Sequence, residues 1–345
     1  MVKYLGSLGF TSQKGVVPAS GRRFAVVSSM SFARPFVLLC FIGLASAAET
    51  ADTPWVVAVT EENDKFTPTN KDRYYTQGLK VSVNREDGVF FSVTQEINTP
   101  ADTLNPPSVT PPYTDLPYSG ALYVGYGYGR VLERGGRRDS LFSVEAKLGI
   151  IGPSAGGETV QNKFHDLINT PQAVGWGTQL PNELLFNLDG EFRHRFDLDG
   201  PDKDTRDLIA RAVLQLGTMR TEAIFGAQFR WGSDLGRSWG HSYIRHSNGY
   251  DPSSDLRGPG KDGFAFWGFA DTQVEVVVRN YATDGTNFRD SRGVVRSPIV
   301  LQAALGFTAQ VSSCSLTYFC AARTKEFETQ DGFHLVGGLK GQFLF

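Results

Sequence analysis

An all-β fold is what this sequence predicts: an antiparallel transmembrane β-barrel of about twelve strands, with a short helix in an extracellular loop. Three observations carry the expectation. From Trp55 onward, segments of about ten residues alternate apolar and polar side chains, and Gly/Asp/Asn/Pro clusters separate them. An export signal precedes them. Mean hydropathy is −0.22, too low for a bundle of membrane helices but compatible with strands whose alternate residues face a polar lumen. The net charge of −2 gives no basic footprint, so no nucleic-acid partner is expected.

Residues 1–47 are read as a signal peptide with an extension. Arg34 precedes the apolar run FVLLCFIGLASA (36–47), and Ala45-Ser46-Ala47 places cleavage after Ala47. The run is too short for a comfortable membrane span. Counted from Met1 the charged n-region is very long, whereas Met30 gives an ordinary one. Residues 1–29 are therefore taken as a start-site artefact or a dispensable extension. Residues 48–345 then form a single barrel domain. Cys40 leaves with the signal, and Leu39 before it does not suit a lipoprotein signal. Cys314 and Cys320 remain in a disulfide-permissive compartment. A bridge between them and two free thiols on one strand both fit.

The strands follow in order. Val56–Glu62 is the first and Tyr75–Asn84 the second, with Arg85-Glu86-Asp87-Gly88 as a tight turn before Val89–Ile97. Thr99–Pro117 is Pro-rich and reads as a loop. In Ser119–Leu132, Leu122, Val124, Tyr126 and Tyr128 share one face, and Ala121, Tyr123, Gly125 and Gly127 the other. That pattern suits a lipid side and a crowded lumen side. Leu141–Ile151 returns. Leu184–Phe196, Asp207–Gly217, Thr221–Trp231, Phe264–Asn280, Pro298–Ser312, Leu316–Glu326 and His334–Phe345 complete the set. Between Gly152 and Glu183, the segment Glu158–Ile168 places Val160, Phe164, Leu167 and Ile168 at helical spacing.

Parity tests the count. With both termini on the periplasmic side, the irregular polar connections after the first, third and fifth strands all lie outside, and short turns lie inside. The long polar stretch Gly232–Gly263 breaks the rule. Either a strand is miscounted or this stretch folds into the lumen as a plug.

The chemistry concentrates in Glu61–Gly78, EENDKFTPTNKDRYYTQG. Asn63 and Asp64 end the first strand and Thr76 begins the next. An amide, a carboxylate and a hydroxyl at one rim can hold a hard cation such as Ca²⁺, and they can equally cap turns. Gln161 and His165 are four residues apart, on one side of the helix. A histidine above a barrel rim is a candidate general base, or simply a hydrogen-bonded histidine. His241 and His246 fall in the long polar stretch and read as loop histidines.

The motifs ENDKF, DRYYTQG, IGPSAGGETVQNKFHDLI and Gly175-Trp176…Gln179-Leu180-Pro181-Asn182-Glu183 resemble those of the outer-membrane lipid A 3′-O-deacylases, the LpxR family. The resemblance runs from about Trp55 to Phe345. A final alternating strand ending in Phe345 also looks like the signal read by the barrel-assembly machinery. The resemblance implies an outer-membrane location among outer-membrane lipids and a twelve-stranded barrel. It implies a Ca²⁺-dependent active site between the wall and a loop helix, and lipid A of lipopolysaccharide as substrate, cleaved at the ester of the 3′-acyloxyacyl group. Asn63 and Asp64 match the family's Asn-Asp pair and metal shell, Thr76 its active-site Thr, Gln161 its Gln and His165 its proposed base. Two positions depart. A family Lys falls on Asn105, and a family Glu, six residues after the His, falls on Pro171. Lys163 or Glu183 are the substitutes that offer themselves.

In the implied mechanism, His165 takes a proton from water, Gln161 helps to position that water or the helix, and Ca²⁺ held at Asp64 and Asn63 stabilises the oxyanion. No Gly-x-Ser-x-Gly elbow is present to form an acyl-enzyme. Two other readings compete. A non-enzymatic barrel, a pore or surface protein, draws support from the two departures. A calcium-dependent outer-membrane phospholipase shares the ester chemistry, but it is expected to use a Ser–His pair on a strand. Here His241-Ser242 and His246-Ser247 lie in a loop.

Overall fold

Alternation builds the wall. Every second residue of each strand meets lipid and the residues between them meet the lumen, so the strands close on themselves and leave no unpaired edge. In the computed structural model the described residues are 54–68, 72–105, 107–134, 137–200, 204–235, 238–252 and 263–345. The signal-peptide reading lies outside them.

Twelve antiparallel strands form one closed barrel in which each pairs with its neighbours in sequence. They are β1 (Trp55–Asn63), β2 (Tyr74–Arg85), β3 (Val89–Thr99), β4 (Ser119–Arg134), β5 (Arg137–Ile151), β6 (Glu183–Asp197), β7 (Arg206–Gly217), β8 (Arg220–Gly232), β9 (Phe264–Asn280), β10 (Ile299–Val311), β11 (Cys314–Arg323) and β12 (His334–Leu344). The first and last strands seal the barrel, with Val56 opposite Leu344 and Asn63 opposite Gly337. Trp55 and Phe345 exchange both backbone hydrogen bonds, at 3.0 and 2.8 Å.

The β4 expectation holds residue by residue: Leu122, Val124, Tyr126 and Tyr128 are exposed outwards, while Ala121 and Tyr123 are buried. The lumen side carries charge. Glu96, Glu145, Lys147, Asp189, Glu191, Arg211, Arg230, Glu275 and Arg323 are all buried. They are paired rather than bare, as buried charges must be. Arg220 meets both oxygens of Glu96 (3.1 and 2.5 Å), and Lys147 meets Asp189 (2.6 Å).

The strand count was right, and the described residues 238–252 between β8 and β9 form a plug. It leaves β8 at the end of the barrel that holds the termini, and residues 241–252 are buried inside. Inward side chains of the wall bind its backbone. Glu62 accepts from Ile244 N–H (2.8 Å), Glu191 from Asn248 N–H (3.1 Å) and Asn84 from Asp251 N–H (2.8 Å). Lys340 pairs with Asp251 (2.6 Å). His241 and His246 are therefore not surface loop histidines. His241 packs against Phe269, Phe319 and Tyr243, and His246 lies beside Arg323 and Glu275.

Two points left open by the sequence are decided. Cys314 and Cys320 are both free. They lie six residues apart on one extended strand, about 20 Å at the usual rise, far beyond the reach of a disulfide. In the helix, α1 (Gly157–Leu167), Gln161 and His165 share one side, as their spacing predicts, and that side rather than the apolar one is buried. Gly157, Gln161 and His165 are its buried side, while Phe164 and Leu167 are exposed. A soluble helix turns its apolar face inward; at the mouth of a membrane barrel the inside is polar.

Candidate active site at the outer rim

Loop and helix geometry bring Gln161 and His165 against the β1–β2 connection. Gly156 has φ 72°, a left-handed conformation that suits glycine, and it sets α1 off from the β5 end. Gly157 then lets the first turn lie directly on β4. A Cβ on Gly157 would come 3.0 Å from the Cα of Gly120 and 2.9 Å from the Trp176 ring. This close approach is the physical content of the GPSAGGE motif. It aims Gln161 and His165 into the mouth, where they are 3 % and 2 % exposed.

From the other side comes the β1–β2 connection, and Asn63 and Asp64 shape it. Asn63 Oδ1 accepts from Lys65 N–H (2.8 Å), capping a single 3₁₀ turn, Asp64–Phe66. Asp64 Oδ2 accepts from Arg73 N–H (2.6 Å), closing the connection at its far end. Tyr74 follows in a left-handed conformation (φ 63°), held by edge-on contacts with Phe327 and His334. A bulge between Tyr75 and Gln77 re-aims the start of β2. The Thr76 hydroxyl sits in this bulge and pairs with Thr99 Oγ1 (2.7 Å).

The connection delivers two side chains that the sequence reading passed over, Asp72 and Lys65. Asp72 Oδ2 lies 2.7 Å from His165 Nε2 and 3.4 Å from Lys65 Nζ, and Asp72 Oδ1 accepts from Gln161 Nε2–H (3.3 Å). On the other ring nitrogen, His165 Nδ1 is 2.7 Å from the carbonyl oxygen of Pro171. A carbonyl only accepts, so Nδ1 carries the hydrogen. The Gln161 amide is fixed as well, because its Oε1 accepts from Trp176 Nε1–H (2.9 Å). Trp176 is fully buried against Tyr118, ring centroids 4.9 Å apart. DRYYTQG and QNKFH thus meet, with Gly175-Trp176 behind them.

The two carboxyl groups of the connection are held differently. Burial pushes the Asp64 carboxyl well above the usual range, and the neighbouring charge of Asp72 adds to it. Asp64 Oδ1 is buried with no hydrogen-bond partner among the described residues. Burial also acts to raise Asp72, but the hydrogen bond from His165 and the charge of Lys65 outweigh it and hold the group below the usual range.

The remaining candidates stand elsewhere. Asn105 is exposed and bonds Asp102 within its own loop (2.8 Å). Glu183 is taken up by Asn287 N–H (2.7 Å) and Phe288 N–H (2.9 Å) across the rim. Lys163 lies on the exposed side of α1. None of the three joins the His165 cluster. Pro171 does, through its carbonyl.

The oxygen donors suit a hard cation in kind. Among the described residues no group of three or more His, Cys, Asp or Glu side chains converges as a ready-made metal cage. The unpartnered buried Asp64 oxygen is a donor of the kind such a cation takes.

The family described as "Outer membrane protein LpxR" matches residues 36–345. Among solved structures, LpxR from Salmonella typhimurium superposes with a TM-score of 0.70 at 20% identity, covering 84% of this chain and 100% of that one. The β domain of the Bordetella autotransporter BrkA (TM-score 0.42, 11% identity, 85% and 99% covered) and the KdgM porin (0.35, 7%, 84% and 99%) are more distant barrels. No curated protein matches the chain.

Proposed function

Because this chain belongs to the LpxR family of outer-membrane proteins, we propose that it is an outer-membrane esterase that removes the 3′-acyloxyacyl group of lipid A. The observation that carries the reading is the buried histidine at the outer rim. His165 has its tautomer set by the Pro171 carbonyl and its second nitrogen directed at a polar cluster of Asp72, Lys65 and Gln161.

His165 Nε2 is the nitrogen that takes the proton of the attacking water. Gln161, anchored by Trp176, orients Asp72 rather than the water itself. Asp64 and Asn63 would hold Ca²⁺, whose contribution is to stabilise negative charge developing on the ester oxygen. Thr76 belongs to the same rim and shapes the start of β2. A hydrolysis of this kind needs no nucleophilic serine, and none of the site's contacts involves one.

The buried plug weighs against the pore reading, since ion pairs and backbone hydrogen bonds fill the lumen. The phospholipase reading loses its Ser–His pairs to the same plug, because His241, Ser242, His246 and Ser247 are buried within it. The test is mass spectrometry of lipid A after expression of residues 48–345 behind a bacterial signal peptide, with Ca²⁺ and with chelator. A Ca²⁺-dependent loss of the 3′-acyloxyacyl mass is expected. Unchanged lipid A from a folded barrel, or loss of glycerophospholipid chains instead, would refute the assignment.

A further inference from the structure

His165 is engaged at both ring nitrogens. Nδ1–H donates to Pro171, so any proton taken up by the ring must go to Nε2. Yet Nε2 is 2.7 Å from Asp72 Oδ2, the distance of a charge-assisted hydrogen bond, and a carboxylate has no hydrogen to give. In this arrangement Nε2 is occupied by the carboxylate, and no attacking water can lie against it. Orientation does not require this second contact, because the Pro171 carbonyl and the buried face of α1 already fix the ring plane and tautomer.

We propose that Asp72 is a displaceable cap on His165, a positioning residue that covers the one base-competent nitrogen until the carboxylate turns away. The inference rests on the ester-hydrolysis reading only for its consequence in turnover; the capped state itself follows from the geometry. Three features make displacement feasible. Asp72 lies on an irregular connection rather than a strand, and its side chain is 14 % exposed. Lys65 Nζ stands 3.4 Å from the same oxygen and keeps the carboxylate paired once it leaves the ring. Gln161 holds the other oxygen and serves as the pivot. On opening, the carboxylate stays paired with Lys65 and Nε2 faces the attacking water.

The experiment combines ring-nitrogen NMR with kinetics. The chain has five histidines, so ¹⁵N-histidine labelling gives a small set of ring signals, and His165→Gln identifies those of His165. In the full barrel in detergent, His165 Nε2 is expected to show the signature of a hydrogen bond to a carboxylate. In Asp72→Ala that signature is expected to vanish while Nδ1 keeps its bond to the Pro171 carbonyl, and lipid A hydrolysis to stay within about threefold of wild type or exceed it. Asp72→Asn serves where Ala disturbs the loop, since it keeps the shape of the side chain and loses its charge. Lys65→Met, which removes the alternative partner of the carboxylate, lowers kcat about tenfold with KM unchanged. A wild-type Nε2 with no carboxylate contact overturns the cap, whatever the enzyme acts on. So does a folded Asp72→Ala barrel as inactive as His165→Ala. A Lys65→Met barrel with unaltered kcat overturns the opened state in which Lys65 holds the carboxylate. A wild type with a capped Nε2 and no activity on lipid A would count against the functional assignment alone.

Discussion

Replacing Asp64 by Asn separates the cost of a buried charge from its use. In the metal-free barrel, Asp64 is 1 % exposed and one carboxylate oxygen has no partner among the described residues. An unsatisfied buried polar group costs about 1–3 kcal/mol, and more when it is charged. Asn keeps the shape, and its carbonyl can still accept from Arg73 N–H. It gives up the extra strength of a charge-assisted bond, about 1 kcal/mol, and its amide N–H groups inherit the unpartnered position, while the burial of a charge and the repulsion from Asp72 disappear. These terms offset, so Asp64→Asn is expected to melt within about 2 °C of the parent in chelator. Calcium separates the two. At one hundred times its dissociation constant a ligand stabilises the folded state by about 2.7 kcal/mol, and a site without the carboxylate forfeits most of that. The assay is near-UV circular dichroism of the detergent-solubilised barrel, heated at one fixed rate with Ca²⁺ or with chelator. A wild type that melts at one temperature in both buffers, or a variant that gains as much from Ca²⁺ as the wild type, refutes the assignment of Asp64 as the cation's ligand.

Other outcomes follow from the same contacts. His165→Ala leaves the barrel folded, as judged by the migration of unheated protein on a gel, and lowers hydrolysis by about 10²–10⁴ in lipid A mass spectra. Trp176→Phe removes the hydrogen bond that fixes the Gln161 amide; it costs about 1 kcal/mol of stability and lowers kcat, read in the melting and turnover assays. Arg220→Met leaves Glu96 buried with its main counter-charge gone, and denaturant unfolding in detergent should show a loss of about 3–5 kcal/mol. Planar-bilayer recordings should detect no steady conductance, because the plug fills the lumen.

The wall was legible because its code is local. Period-2 alternation decides which side chains meet lipid, and β4 shows it in a single strand. Strand ends moved by at most four residues between expectation and structure, the largest shift being the start of β5, Leu141 against Arg137. The plug was visible only as a conflict, a long stretch on the side where turns are short. Nothing within Gly232–Gly263 says which wall residues will bind it. Its partners, among them Glu62, Asn84, Glu191 and Lys340, are scattered along the chain and face the lumen only once the barrel closes.

The candidate site was legible in the residues that shape it and illegible in those that meet them. Asn63, Asp64, Gln161 and His165 announce themselves by type and spacing. Asp72 and Lys65 do not, because a charged pair in a polar connection is the commonest thing a loop contains. One signal was present: DRYYTQG begins with an acid four residues before Thr76, in a stretch already singled out. What no spacing argument could reveal is that an acid and a base from the β1–β2 connection reach the helix across the barrel mouth. Asn105 stays within its own loop, while Pro171 reaches His165 through its backbone carbonyl rather than a side chain. Asp72 and Lys65 come to the same histidine from the other side, where the carboxylate covers Nε2. A carbonyl fixes a ring whatever residue carries it, so a proline at that position is compatible with a positioned histidine.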